Sequence, residues 1–285
     1  MKAPEGSGFH RAGLLPRIAT AVVGAPLLLL GVWLGGLLWI ILMAVVVTGA
    51  AAEFVRLHPD LRPGARAAVI AGSVGMTVIV GWTPESIATW LLGVGGIVVL
   101  AGGIIPRLLA TPAPRPAWTQ PRPGWYGAPR PWLVVALGVM YLGVPIGVLT
   151  RWRLTATFEP VAWFLVIIWV NDIAAYVVGL AFGRHKLAPR ISPGKSWEGA
   201  LAGVGAAAAV AVVAAPALAV SSGAGSLLGV IVGITSQIGD LFESALKRQA
   251  GVKDSGALLP GHGGILDRFD GLLFAAPVGY VFLRM

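Results

Sequence analysis

Cysteine is absent from this chain of 285 residues. That excludes disulfides, thiol chemistry and any cysteine-ligated zinc or iron–sulfur site. Histidine is scarce: His10, His58, His185 and His262 are scattered and form no H-x-x-x-H pair. Charge is thin too, at 12% of residues, about half the share usual in a soluble domain. No convincing internal repeat is present, which weighs against the repeat-built transporters.

What the chain does have is apolar length. It is 56% hydrophobic with 40 glycines, and its mean hydropathy is +0.82. Apolar windows long enough to cross a bilayer fall at 16–34, 36–53, 65–82, 86–105, 132–150, 160–182, 199–220, 225–246 and 265–284. The weakest division is between the first two, at Gly35-Gly36. The expectation is an all-α polytopic membrane protein of about nine transmembrane helices, with glycine and alanine allowing close helix contact. Lys2 and Arg11 before an apolar run resemble a signal peptide, but the many spans that follow make that run a retained first helix.

A cytoplasmic N-terminus would put 18 of the 21 basic residues on the inner side. Only Arg151, Arg153 and Arg284 would lie outside. The net charge of +9 then belongs to cytoplasmic loops beside anionic lipid, and no nucleic-acid partner is expected. The stretch Pro106–Pro131, "PRLLATPAPRPAWTQPRPGWYGAPRP", carries too much proline for a helix. It divides the chain into a four-span part (1–105), an extended cytoplasmic linker (106–131) and a five-span part (132–285).

Twelve residues are acidic. Five of them, Asp172, Asp240, Glu243, Asp267 and Asp270, are expected within spans or at their cytoplasmic ends, all in the second half. A charge at mid-membrane costs about 2.5–3.5 kcal/mol, so such residues point to function. On the eighth span Gly225, Gly229 and Gly233 recur at every fourth position. The stripe continues through Ser236, Gln237, Asp240, Ser244 and Lys247. Asp240 and Glu243 share a helix face, as do Asp267 and Asp270. Two such pairs on adjacent helices could hold a hard cation; alternatively they form ion pairs with Lys247, Arg248 and Arg268.

Cations beside acids suggest a phosphorylated substrate. "SPGKSWEG" (Ser192–Gly199) contains a GKS, but a P-loop needs glycine where Pro189 stands, and no strand is expected before it. Two readings stay open. One is a small loop that brings a backbone N–H and Lys195 to phosphate; the other is a helix N-cap by Ser196 with Glu198 nearby.

"SALKRQAGVKDSGALLPGHGGILDRFD", Ser244 to Asp270, resembles the signature of the phosphatidate cytidylyltransferases, the CDP-diacylglycerol synthases. The matching positions are Ser244, Lys247, Arg248, Lys253, Asp254, Pro260, His262, Gly263, Gly264, Asp267, Arg268 and Asp270. Asn171–Gly199 and "GDLFES" (Gly239–Ser244) are similar to companion segments of that family. The resemblance covers the chain from about residue 160; the first four spans match only in being hydrophobic. Gly194 stands where the family commonly has lysine, and Gly271 where it often has serine.

The resemblance implies that CTP and phosphatidic acid become CDP-diacylglycerol and diphosphate in phospholipid synthesis. It also implies a requirement for Mg²⁺, held by Asp240 and Asp267, with the number of ions left open. Asp240, Asp267, Asp270, Lys253 and Asp254 are the candidate catalytic residues. Ser192, Lys195, Ser244, Lys247, Arg248, His262, Gly263, Gly264, Arg268 and Asp172 are the candidate substrate contacts. The His-Gly-Gly run would let backbone approach a nucleotide phosphate. The active site would face the cytoplasm from the cell membrane, and the glycine stripe would suit a helix-mediated homodimer. The alternatives are a CTP-dependent polyprenol kinase and, from another class, a cation-coupled transporter.

Overall fold

A computed structural model of the protein describes residues 14–83, 131–256 and 263–284, with side chains from Gly24 onward. Eight helices and one hairpin occupy them. The helices are α1 (Leu14–Leu34), α2 (Gly36–Arg56), α3 (Pro63–Trp82), α4 (Pro131–Thr155) and α5 (Phe158–Phe182), then α6 (Trp197–Ala214), α7 (Ser222–Gln249) and α8 (Leu266–Phe282). Six of them, α2 to α7, are long and apolar enough to cross a membrane. The protein is an α-helical polytopic membrane protein. α1 and α8 coincide with two further expected spans, and the expected span at 86–105 lies outside the described residues, as does most of the proline-rich stretch.

One expectation is corrected. Between α5 and α6 the chain forms an antiparallel hairpin, β1 (Lys186–Ala188) and β2 (Ser192–Ser196), so the fold is not purely helical. Pro189 falls in the turn, where a missing N–H costs nothing.

The division at Gly35-Gly36 is real. α1 ends at Leu34 and α2 begins at Gly36, with φ of +63° at Gly35 and +51° at Gly36. A side chain in that left-handed region would be strained, so two glycines turn the chain where apolar periodicity shows no break.

α3 and α4 run parallel. Val69 lies against Gly138, Met76 against Gly143, Val80 against Gly147 and Thr150 against Gly81. Within α4 the turn Val139–Gly143 is a π-helix. Pro145, one turn on, has no N–H to close the regular ladder, and a widened turn accommodates the loss. The widening aims Tyr141 at Phe242 of α7 (ring centroids 5.0 Å apart) and Phe274 of α8 (6.1 Å), with Phe54 of α2 at 6.3 Å. Four helices therefore meet on one aromatic cluster, and Glu53 and Glu243 are the sequence neighbours of two of its rings.

α5, α6 and α7 form an antiparallel triplet. Glycines of α7 sit directly on α6: a Cβ on Gly225 would press on Ala211, and one on Gly229 would press on the backbone of Ala207 and Ala208. The stripe is thus taken up inside the chain, not left as the dimer surface expected of it. At its polar end, buried Asn171 of α5 accepts from Gln237 Nε2 of α7 (3.1 Å), which also donates to Ala200 O of α6 (3.0 Å).

The ends of the bundle differ. Arg151, Arg153 and Arg284 cluster at one end. Arg153 donates to Val32 O, Trp33 O and Ala156 O. Arg151 donates to Thr83 O and the Tyr280 hydroxyl, and Arg284 to Thr155 Oγ1 at 3.0 Å. Most of these acceptors are carbonyls at helix C-termini, which carry partial negative charge and have no intrahelical donor. α8 runs from the acidic end of the bundle to this one.

Candidate active site

The hairpin sets one wall. Glu198, in the first turn of α6, accepts from the backbone N–H of Arg184 and His185 (3.2 Å each) and meets His185 Nδ1 at 2.6 Å. Arg248 of α7 donates to Ile191 O (3.2 Å) and Val252 O (3.1 Å). Ser196 caps α6 by accepting from Gly199 N at 3.2 Å. With β2 held at both ends, Lys195 projects onto α7 and its ammonium lies 2.8 Å from Asp240 Oδ2. The N-cap reading of "GKS" holds, since Ser196 caps α6, and Lys195 enters the acidic cluster.

The acids form two groups. Asp172 of α5, Asp240 of α7 and Asp270 of α8 repel one another, with Lys195 drawn to all three. Ser244 donates to Asp240 Oδ1 at 3.3 Å, and Asn171 Nδ2 to Asp172 Oδ1 at 3.0 Å. The second group centres on Lys247, whose ammonium lies 2.5 Å from both Glu243 Oε2 and Asp267 Oδ1. Asp270 couples the groups, for its charge also reaches Glu243. Close helix approach makes this possible: Gly239 of α7 abuts Asp270 O, and Gly271 abuts Ser236. Asp240 thus stands level with Asp270, while Asp267 stands one turn nearer the α7 C-terminus.

Exposure separates the two expected metal ligands. The Asp240 side chain is 38% exposed and that of Asp267 only 5%. Asp267 Oδ2 accepts from Gly264 N (2.7 Å), Ser255 N (3.0 Å) and Ser255 Oγ (2.9 Å). Its orientation is over-determined, and only Oδ1 is left to the acidic side.

Five carboxyl groups therefore face three cations, Lys195, Lys247 and Arg268. An acid excess at the end of a helix bundle favours a bound cation. Among the described residues no three acids or histidines converge into a ready-made cage. The carboxylate oxygens present are of the kind a hard cation such as Mg²⁺ would take, one or two at a time.

The signature loop packs against carboxylates of the chain itself. Gly263 has φ of +80°, and a Cβ there would press on the Asp267 carboxylate. A Cβ on Gly264 would collide with Glu53 and Ser255. These glycines admit carboxylates from the protein itself. Lys253 and Asp254 lie exposed on the loop and Arg268 on the first turn of α8. Ser192 opens β2, and His262 lies outside the described residues. Arg248 holds backbone carbonyls.

The residue missed is Glu53. It closes the apolar run of α2, is fully buried, and accepts from Ile265 N (3.0 Å), Leu266 N (2.8 Å) and Ser255 Oγ (3.0 Å). Acids in the polar network are thus not confined to the second half. The signal was present in "AAEFVR", an acid at the last turn of an apolar helix.

Residues 15–285 match the model of a family described as the cytidylyltransferase family, so the likeness extends well before residue 160. A phosphatidate cytidylyltransferase of Brucella suis is 51% identical over 126 residues, 44% of this chain and 47% of that protein. One from Synechocystis is 50% identical over 121 residues, 41% of this chain and 40% of that protein. The chain thus spans about half the length of these relatives. A phosphatidate cytidylyltransferase of Mycobacterium bovis is 32% identical over 254 residues, 87% of this chain and 80% of that protein.

Proposed function

The chain belongs to the cytidylyltransferase family, and from that premise we propose that it transfers CMP from CTP to phosphatidic acid, yielding CDP-diacylglycerol and diphosphate. The observation that carries this reading is the acid excess on α5, α7 and α8, with Lys195 and Lys247 set into it. Such a site suits a polyanionic nucleotide handled together with a cation. Mg²⁺, bound through Asp240 and Asp267, would neutralise charge on the transferring group and the departing diphosphate.

The chain's own groups do the rest. A phosphatidate oxygen attacks the α-phosphorus of CTP; the new P–O bond forms as the α–β bridging P–O bond breaks, and diphosphate carries away the electron pair. The nucleophile is already anionic, so no strong general base is needed, and none of the Ser–His–Asp kind is expected. Lys195 and Lys247 exchange carboxylate partners for phosphate oxygens. Lys253 and Arg268 reach substrate from the exposed rim, with Asp254 beside Lys253 on the signature loop; His262 of the same signature is a further substrate contact. Arg248 acts at one remove, by tying the hairpin to that loop. Asp172 and Asp270 shape the field around Asp240.

The acidic end faces the cytoplasm, where CTP is made, and the bundle lies in the cell membrane with nine crossings and an inner N-terminus. Supporting this, Arg56, Arg62, Arg66, Arg184, Lys186 and Arg190 share the acidic end, while Arg151, Arg153 and Arg284 sit opposite. The test of the reaction supplies purified protein with phosphatidic acid and with CTP labelled at the α or the γ phosphate. Label from α in the lipid is expected. Label from γ alone would make the protein a lipid kinase and overturn the assignment.

A further inference from the structure

Helix α8 begins without a cap of its own. Ile265 stands at its N-cap and offers no side-chain acceptor, so the orphan N–H groups of the first turn need acceptors from elsewhere. They come from α2. Glu53 Oε1 takes Ile265 N at 3.0 Å and Glu53 Oε2 takes Leu266 N at 2.8 Å. A negative group at a helix N-terminus is also favoured by the helix dipole. Gly256 and Gly264 leave the room: a Cβ on either would run into the Glu53 carboxylate.

The contact reaches further through Ser255. Its hydroxyl lies 3.0 Å from Glu53 Oε2 and 2.9 Å from Asp267 Oδ2. One hydroxyl proton serves two carboxylates, so the position of each depends on the other. Gly264 N, adjacent to the peptide units that Glu53 holds, donates to the same Asp267 oxygen at 2.7 Å. Every donor on Asp267 Oδ2 thus belongs to a residue that touches Glu53.

We propose that Glu53 is a positioning residue for the transfer reaction: it reaches from the N-terminal half of the chain to fix the start of α8 and, through Ser255, the direction in which Asp267 presents Oδ1, the oxygen paired with Lys247. The proposal rests on reading Asp267 as an acid that handles cation and phosphate. It makes the N-terminal helices part of the catalytic apparatus, beyond their role as a hydrophobic anchor.

Glu53→Gln removes one acceptor without changing shape. Either amide orientation turns an NH₂ toward a backbone N–H, so one of the two bonds to α8 must break. In full-length protein the expected result is a kcat lower by roughly 10- to 100-fold, as for lost partners of a ligating carboxylate. The Mg²⁺ concentration for half-maximal rate should rise, and amide hydrogen exchange over residues 264–267 should quicken. Glu53→Asp, which keeps the charge, should recover part of the rate, whereas the exposed Asp60→Asn should match wild type. A folded Glu53→Gln protein with unchanged kcat and Mg²⁺ dependence would overturn the proposal.

Should Glu53→Gln not fold, Ser255→Ala cuts only the bridge. It should lower kcat about 2- to 10-fold, the rate equivalent of one hydrogen bond, and an unchanged kcat there would equally overturn the idea. The two readings fail differently. A wild-type protein that moves no α-label refutes the assigned reaction, while the exchange measurement still reports whether Glu53 fixes the Asp267 turn.

Discussion

The two ends of the helix bundle treat charge in opposite ways. At one end Arg151, Arg153 and Arg284 direct their guanidinium groups at carbonyls and hydroxyls that close α1, α3 and α4, and at Tyr280. Glu159, the acid described there, lies exposed in the first turn of α5. At the other end five carboxyl groups crowd around three cations, and Asp240 remains 38% exposed. Charge spent on carbonyls, hydroxyls and an aromatic ring of the chain itself is structural. A carboxyl group that stays open to solvent among other acids, as Asp240 does, is available for a ligand.

If that contrast is right, substitutions at the two ends should fail in different ways. The largest effect is expected at the acidic end. Asp240→Asn and Asp267→Asn should each lower kcat by about 100-fold or more, the upper range for metal-site losses. If the two share one ion, the double variant should add little to either. Mg²⁺ titrations of the three proteins check this, and fully multiplicative losses would separate the two residues into independent sites.

A smaller effect of a different kind is expected at the arginine end. Arg153→Met keeps the side chain's length but forfeits its bonds to the last turn of α1. The loss should be about 2 kcal/mol of stability, read as a lower melting temperature in detergent, with kcat per folded molecule unchanged. A kcat that falls in step with the Asp240 variant would erase the distinction between the ends.

The smallest perturbation only reads which way the bundle faces. In this cysteine-free chain, Thr157→Cys and Arg190→Cys place single thiols at exposed positions on opposite ends. An impermeant thiol reagent should label position 157 in intact cells and position 190 only after the membrane is opened. The reverse pattern would put the acidic end outside the cell and refute a cytoplasmic active site.

Much of the architecture was readable in advance because bilayer solvation acts on one element at a time. The expected windows at 36–53 and 160–182 became α2 and α5 with ends displaced by only a few residues, and even the Gly35-Gly36 break was in place. The carboxylates of α7 and α8 were conspicuous for the same reason, since isolated charge in an apolar run is costly. The β1–β2 hairpin was not legible. Its strands are short, and their pairing depends on Glu198 and Arg248, which arrive from other elements.

Hydropathy, helical period and charge are local properties, so amino-acid order alone marks a membrane-embedded helical bundle, its polar end and the carboxylates that stand there. How those groups are partnered was left to the packing of the helices in space. It set Asp240 with Asp172, Asp270 and Lys195, set Asp267 with Lys247, and turned the Gly225–Gly229–Gly233 stripe onto α6. It also brought Glu53 to Leu266 across 213 positions of chain. A contact of that separation leaves no periodic trace: it depends on how α2, α7 and α8 pack around Tyr141 and Phe242, and packing belongs to the assembled core and not to any one helix.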